Sequence, residues 1–232
     1  MGQKVNPIGF RIGITEEWRS RWYAPKAAFG DFVVEDYRIR RFIDQKLNRQ
    51  APYAGISTME IERTRNEVKV VLHTARPGMV IGPRGAEVDK LKEELENLID
   101  RQVSLNVVEI KNADLNATLV AEGIAEQLKK RSSFRRVMKQ RCEAAVNAGA
   151  KGIKVICSGR LGGAEMARRE VQHRGSIPCQ TLQAHVDYGH AVSKTTYGTI
   201  GVKTWIYVGH YGEEATEVPE QERRRGPRRG KR

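Results

Sequence analysis

Long apolar runs are missing from this sequence of 232 residues. No stretch approaches the roughly 18 consecutive apolar residues of a membrane-spanning helix. The first residues, MGQKVNPIGFRIG, also lack the apolar core of a secretory signal. We therefore expect no membrane partner and a cytoplasmic location, or the interior of an organelle if the gene is organellar.

Cysteine and histidine are scarce, with three Cys and five His. Cys142, Cys157 and Cys179 form no C-x-x-C pair, and no two histidines lie three or four residues apart. An odd number of scattered cysteines is a poor disulfide framework. The sequence predicts reduced thiols, no metal site and no cofactor.

Catalytic signatures are missing as well. The sequence has no Walker loop, no H-E-x-x-H, no G-x-S-x-G and no G-x-G-x-x-G. The carboxylates at Glu93, Glu94 and Glu96 fit the solvated face of a helix. We therefore predict that the protein is not an enzyme and has no small-molecule substrate; a nuclease would need a metal or nucleophile cluster.

Positive charge is what the sequence has in excess. The net charge is +13 and the isoelectric point is about 9.9, which predicts an anionic partner. Residues 220–232 carry seven basic and two acidic residues. Further clusters at Arg38–Arg41, Lys129–Arg141 and Arg168–Arg169 fall on segments with apolar periodicity or β-propensity, so the folded part is basic too.

The hydrophobic pattern divides the chain into four segments. We predict an irregular extension over 1–37, a first domain over 38–111, a second over 112–212 and a basic disordered tail over 213–232. Trp18, Trp22 and Tyr23 stand next to arginines in the extension. Such aromatics stack on RNA bases, or they fix an extension to its own core, and the sequence leaves both interpretations open.

Alternating and helical patterns predict the secondary structure. In the first domain they indicate a helix from Glu35, a hairpin connected by residues 64–66, a short helix, a glycine loop, a helix and a strand. In the second they indicate helices over about 115–129 and 132–148, followed by four strands. The fold class is therefore α+β, with two helices packed on a small, mostly antiparallel four-stranded sheet.

The glycine loop is Gly82-Pro83-Arg84-Gly85. A G-x-x-G pattern occurs five times in the chain, and about two are expected by chance, so the motif alone says little. This copy differs because it follows a hairpin and opens onto an amphipathic helix. Glycines allow an RNA backbone to approach closely, and a helix N-terminus attracts phosphate.

Four segments together resemble a known family. They are GQKVNPIGFR, HTARPGMVIGPRG, GRLGGAEMARRE and KTTYGTIGVKTWIYVG, in this order over about residues 1–210. The first domain resembles a type II KH domain, α-β-β-α-α-β. The chain as a whole resembles the small-subunit ribosomal proteins numbered three, in their bacterial or organellar form.

The resemblance implies a structural protein in the head of the small ribosomal subunit. Its partners would be small-subunit rRNA, mRNA and the neighbouring ribosomal proteins numbered ten and fourteen. The segment SSFRRVMKQR corresponds to the part that lines the channel by which mRNA enters, where basic residues hold mRNA and assist its unwinding. On a helix, Arg131, Arg135, Arg136 and Lys139 would share about 140° of the circumference.

Further rRNA contacts are expected at Lys4, Arg11, Arg160, Arg168 and Arg169. Pro83 stands where the family commonly has a basic residue; it removes one N–H donor and leaves the charge of the loop to Arg84. Arg141 falls on the apolar side of its helix, so it either extends outward or pairs with an acid. The alternative function is a free KH regulator that reads single-stranded RNA.

Overall fold

The computed structural model describes residues 3–49, 53–64 and 67–212, and it contains two four-stranded sheets. The predicted tail, 213–232, lies outside the described residues. So do Arg65 and Asn66 of the predicted hairpin connection. No helix within the described ranges is long and apolar enough to cross a membrane.

The first sheet belongs to the KH-like half of the chain. Its strands, in spatial order, are β1 (Ser20–Arg21), β2 (Ile56–Arg63), β3 (Glu67–Thr74) and β4 (Gln102–Glu109). The central pair β2–β3 is antiparallel, whereas β1–β2 and β3–β4 are parallel. Its helices, apart from a short one near the N-terminus, are α2 (Lys26–Ile43), α3 (Pro77–Ile81) and α4 (Ala86–Ile99). The predicted order α-β-β-α-α-β is confirmed.

One apolar cluster holds this half together. Alternation puts Val68, Val70 and Leu72 of β3 on the buried face, as the sequence predicts. Leu91 and Leu95 lie one turn apart on α4 and are fully buried against them. The α4 helix ends at Asp100, which adopts the left-handed conformation.

The extension is more regular than predicted. Residues 7–11 form helix α1 (Pro7–Arg11), capped by Asn6, whose Oδ1 accepts the N–H of Ile8 at 3.0 Å. Helix α2 begins at Lys26, nine residues before the predicted start at Glu35, and continues as a π-helical turn over Asp44–Asn48. The prediction failed because no residue of 26–34 is buried, and the apolar Phe29, Val33 and Val34 are exposed, so no apolar face marks these first turns as helical.

Trp22 shows what fixes the extension to the first domain. Its ring packs against Phe29 and Phe32 of α2, with centroids 5.4 and 5.6 Å away. Its Nε1 donates to Asp36 Oδ2 at 2.9 Å. Trp22 therefore binds the chain's own core, whereas Trp18 and Tyr23 are largely exposed.

The second sheet has spatial order β6–β5–β8–β7, and all its ladders are antiparallel. The strands are β5 (Gly152–Gly159), β6 (Arg168–Gly175), β7 (Ala184–Thr195) and β8 (Gly198–His210). The helices α5 (Ala117–Lys129) and α6 (Phe134–Asn147) pack on one face of the sheet. The predicted two-helix, four-strand fold is confirmed.

The start of α5 is fixed by polar contacts with the sheet. Asn116 Oδ1 caps the helix by accepting the N–H groups of Thr118 and Leu119. Asp187 of β7 accepts the N–H of Ala117 at 2.7 Å, and Thr204 of β8 donates to the Ala117 carbonyl at 2.6 Å. These bonds set the position of α5, and the loop after α5 leads directly into α6.

Candidate nucleic-acid interface

The glycine loop of the KH-like half is a tight turn between α3 and α4. Gly82 has φ +69° and Gly85 has φ +84°, both in the region that glycine favours. Pro83 to Gly85 form one turn of 3-10 helix that leads into α4. A Cβ on Gly82 would lie 2.5 Å from Glu87 Cγ. Gly82 is therefore required by the fold itself. The Arg84 side chain, on which the prediction placed the charge of the loop, lies outside the described side chains.

The surroundings of this loop are mixed in charge. The first turn of α4 carries Glu87 and Asp89, whose carboxylates already interact with the positive end of the helix. Beside the loop lies an open groove of about 520 Å³, lined mainly by apolar groups such as Ile81, Val88 and Val107. The groove suits bases better than phosphates.

The basic cluster on α6 is open to solvent. Arg135, Arg136 and Lys139 are exposed, whereas Val137, Met138 and Cys142 on the opposite side are buried. The helical period separates the two sets. Arg136 makes no ion pair with the residues that the structure describes. Three exposed cations therefore lie within about one and a half turns of this helix.

Arg131 does not belong to that helical face. The helix begins only at Phe134, and Arg131 lies in the preceding turn with φ +61°. The angular argument that joined it to Arg135, Arg136 and Lys139 was therefore wrong, although its side chain is exposed near the start of α6.

Arg141 pairs with an acid, which is one of the two arrangements that the sequence predicted. Its Nη1 lies 3.5 Å from Asp114 Oδ1, and its guanidinium covers Gly123 of α5. The small Gly123 leaves room for the guanidinium between the helices. Arg141 is thus a packing residue of the α5–α6 pair.

Arg11 is the clearest correction among the predicted rRNA contacts. Its side chain is fully buried. The guanidinium donates to the carbonyls of Ala184 and Thr181, both at 2.7 Å, and to that of Pro7 at 3.0 Å. Arg11 therefore fixes the N-terminal helix to the second domain and cannot reach RNA in this fold.

The other predicted contacts lie at or near the surface. Lys4 is exposed, as are Arg168 and Arg169 on β6. Arg160 is half-buried, and its Nε and Nη1 donate to the carbonyls of Ala164 and Tyr197. Arg160 therefore shapes the tight turn at residues 161–163.

One contact that joins the basic segments could not be predicted from the sequence. Phe134 of α6 lies beside two guanidinium groups, those of Arg135 at 5.6 Å and Arg168 at 5.4 Å. Arg168 is 34 positions away on β6, so no local spacing predicts the pair. Only a correct packing of α6 against the edge strand would have shown it.

Two of the three thiols, those of Cys142 and Cys157, are buried and unreactive. Burial raises the pKa of Cys142 to about 11 and that of Cys157 to about 12, so both stay protonated at neutral pH. All three cysteines are free. Among the described residues, no group of three or more His, Cys, Asp or Glu side chains is placed to hold a metal ion.

Fold and surface together define an RNA-binding protein with a KH domain and a second, basic α+β domain. Comparison with known proteins agrees: the KH domain family matches residues 38–115, and the family described as "Ribosomal protein S3, C-terminal domain" matches residues 124–206.

Full-length relatives extend the match to almost the whole chain. The small ribosomal subunit protein uS3 of Rhodopirellula baltica is 55% identical over 215 residues, which is 92% of this chain and 91% of the relative. That of Clostridium acetobutylicum is 52% identical over 210 residues, 90% and 93% of the two chains. The chain belongs to the uS3 family of small ribosomal subunit proteins. It is a structural, non-enzymatic component of the ribosome.

Proposed function

We propose that the protein binds small-subunit rRNA in the head of the subunit and lines the channel by which mRNA enters. There Arg135, Arg136 and Lys139 hold mRNA phosphates and assist the unwinding of structured mRNA. The observation that carries the mRNA role is the solvent-facing cation cluster on α6. A surface of this kind binds the phosphate backbone without reading sequence.

The same proposal assigns the rest of the chain. The KH domain comprises residues 38–111 and the C-terminal domain 112–212, with 1–37 and 213–232 as an extension and a tail. Lys4 and Arg169 are exposed cations that suit rRNA contacts, and the G-x-x-G loop with Arg84 is an RNA-facing element of the KH domain. The ribosomal proteins numbered ten and fourteen are its protein neighbours, in ribosomes of the cytoplasm.

The test is a double charge reversal, Arg135→Glu with Lys139→Glu, in cells or reconstituted subunits. We expect translation through a strong hairpin near the channel to slow by roughly tenfold, because phosphate attraction becomes repulsion. Translation of unstructured mRNA and incorporation into subunits should be nearly unchanged. Both are measured, the second by sedimentation after a high-salt wash.

A matched control is Lys194→Glu with Lys203→Glu. It makes the same change in net charge at two exposed cations of β7 and β8 in the same domain. If the α6 variant translates the hairpin as fast as this control does, the mRNA role is wrong. Loss of the α6 variant from washed subunits would show instead that the cluster is an rRNA contact.

A further inference from the structure

Strand β6 lies at the edge of its sheet and runs beside α6. It pairs only with β5, so its outer side is unpaired within the described part of the chain. In its register Glu170 lies opposite Cys157 and Arg168 opposite Gly159. Cys157 is in the core that α6 covers. Because side chains alternate along a strand, Arg168 and Glu170 are on the helix side of the sheet.

Arg169 is one residue away and therefore faces the opposite side of the sheet. It is exposed like Arg168 and carries the same charge. The strand thus presents one arginine to α6 and one away from it, which offers a natural pair for comparison.

Two guanidinium groups meet where α6 and β6 approach each other. Arg135 and Arg168 both lie beside the Phe134 ring, at 5.6 and 5.4 Å from its centroid. Cation–π attraction holds each guanidinium near that ring. Two cations from different elements are thereby kept together on one aromatic support.

A single carboxylate, that of Glu170, lies near both guanidinium groups. Glu170 Oε1 lies 3.8 Å from Arg135 Nη2 and 3.9 Å from Arg168 Nε. These distances exceed those of a hydrogen bond, and neither arginine donates a hydrogen bond to any residue that the structure describes. The Arg135 side chain is 73% exposed. The N–H groups of both guanidiniums therefore remain available to an anion from solvent.

We propose that Arg135 and Arg168 form one phosphate-binding site for single-stranded RNA, which we term the α6–β6 clamp, with Glu170 as its resident counter-charge. This rests on the proposed mRNA role of α6 and extends it to a second element. A phosphodiester group enters between the two guanidiniums, which donate in fork geometry, and takes the place of Glu170. Phe134 is a positioning residue.

With this proposal Arg168, which the sequence analysis assigned to rRNA, becomes a residue that contacts mRNA. The next pair along the same seam repeats the pattern: Glu143 lies 4.0 Å from Lys139 and 3.1 Å from Arg174. RNA following the seam would meet four cations on two elements.

The experiment compares Arg168→Gln with Arg169→Gln in reconstituted small subunits. The probe is an unstructured mRNA long enough to pass through the channel, and a shorter mRNA that stops before it serves as reference. We expect Arg168→Gln to weaken binding of the long mRNA by about threefold to tenfold at moderate salt and to lower the salt dependence of binding, because one phosphate contact is lost. Arg169→Gln removes a proposed rRNA contact, so any effect on binding should be equal for the long and the short mRNA and should leave their ratio unchanged.

Glu170→Gln is the second variant, and it predicts a gain. Removing the resident carboxylate should tighten binding of the long mRNA, which a misfolded domain could not do. The double variant Arg135→Gln with Arg168→Gln should lose less than the product of the single losses, because both cations serve one phosphate.

Three outcomes would overturn the clamp. The first is an equal change in the ratio of long to short mRNA binding for Arg168→Gln and Arg169→Gln. The second is weaker binding of the long mRNA by Glu170→Gln. The third is loss of the Arg168→Gln protein from washed subunits while mRNA binding before the wash is normal. If the double charge reversal on α6 leaves mRNA binding and unwinding intact, the proposed mRNA role fails first. If that reversal acts and Arg168→Gln does not, the mRNA role stands and only the clamp is wrong.

Discussion

At the scale of single residues, Glu122 of α5 is a carboxyl group whose charged form is disfavoured in the folded protein. Burial, with a smaller contribution from the charge of Asp44 on the turn after α2, raises its pKa from 4.5 to about 7. No cation pairs with it among the described residues. A carboxyl with a raised pKa in the folded state contributes stability that is present below pH 4.5 and lost as pH rises to about 7.

Glu122→Gln should therefore stabilise the protein at pH 8 and have little effect near pH 4.5. The gain at pH 8 is expected to be about 2–3 kcal/mol, since one pKa unit corresponds to about 1.4 kcal/mol. Urea unfolding at both pH values measures it. Glu126→Gln, one turn further along at a partly exposed residue paired with Lys130, is the control. A gain that is the same at both pH values would contradict the explanation.

The two glycines of the KH loop differ in what surrounds them. Both have positive φ, which costs an L-residue about 1–2 kcal/mol. A Cβ on Gly82 would also lie 2.8 Å from Glu87 Cβ, whereas one on Gly85 meets nothing within 4 Å. Gly82→Ala should consequently destabilise the protein by at least about 1 kcal/mol more than Gly85→Ala does. Urea unfolding of the two variants tests this, and equal losses would show that α4 shifts freely.

At the scale of elements, α2 is held to the sheet and to the extension by one buried ionic cluster. Arg63 of β2 has a side chain only 3% exposed, and its guanidinium lies 2.6 Å from both Glu35 and Asp36. Asp36 also accepts from Ser20 and Trp22 of the extension. A lone Asp36 would leave a buried charge without a partner.

Arg63→Met should therefore destabilise the protein by about 3–5 kcal/mol. Adding Asp36→Asn removes the uncompensated charge, so the double variant should be less destabilised than the two single losses together. Arg49→Met, at an exposed ion pair with Asp44, should cost less than about 1 kcal/mol. Urea unfolding monitored by tryptophan fluorescence measures these losses of stability. If the losses at Arg63 and Asp36 are additive, the two residues are not coupled.

The elements also show how far the sequence could be interpreted. Wherever a helix or strand has an apolar face, as β3, α4 and α5 do, its type and order were predicted correctly. The early start of α2 was missed because residues 26–34 have no buried face that would show a helical period. Arg11 was taken for an RNA contact because the carbonyl groups of Ala184 and Thr181, to which it donates, lie more than 160 residues away. A charged side chain whose hydrogen-bond partners lie far away in the sequence looks like a surface residue in the sequence.

At the scale of the whole molecule, the site is divided between elements that the sequence keeps apart. The cations of α6 were found from spacing and family resemblance, whereas their contact with β6 depends on the strand order β6–β5–β8–β7. The sequence left that order open, since antiparallel strands joined by turns admit more than one arrangement. The secondary structure and fold class could thus be predicted from the sequence, whereas the contact between α6 and β6 on the surface could not.

The two halves of the molecule also have separate hydrophobic clusters, and this leads to a prediction about cooperativity. The cluster around Leu91 contains only residues of the first half, and the cluster around Ile124 only residues of the second. Leu91→Ala and Ile124→Ala each open a cavity in one of them, at a cost of about 2–5 kcal/mol. Because the two clusters share no buried apolar residue, each substitution should destabilise only the half of the molecule that contains it.

Amide hydrogen exchange read by mass spectrometry measures this directly. Leu91→Ala should accelerate exchange in β3, α4 and β4 while β5 and β8 keep their protection, and Ile124→Ala should do the reverse. Val146→Ala, at a side chain 41% exposed on α6, is the control for a substitution outside both clusters. If either core variant accelerates exchange across both sheets, the chain unfolds as one unit. The boundary proposed near residue 111 would then divide the chain into two structural domains that unfold together. The element that couples them would be α5, through Leu119, which lies beside Gly55, and Glu122, which lies beside Asp44.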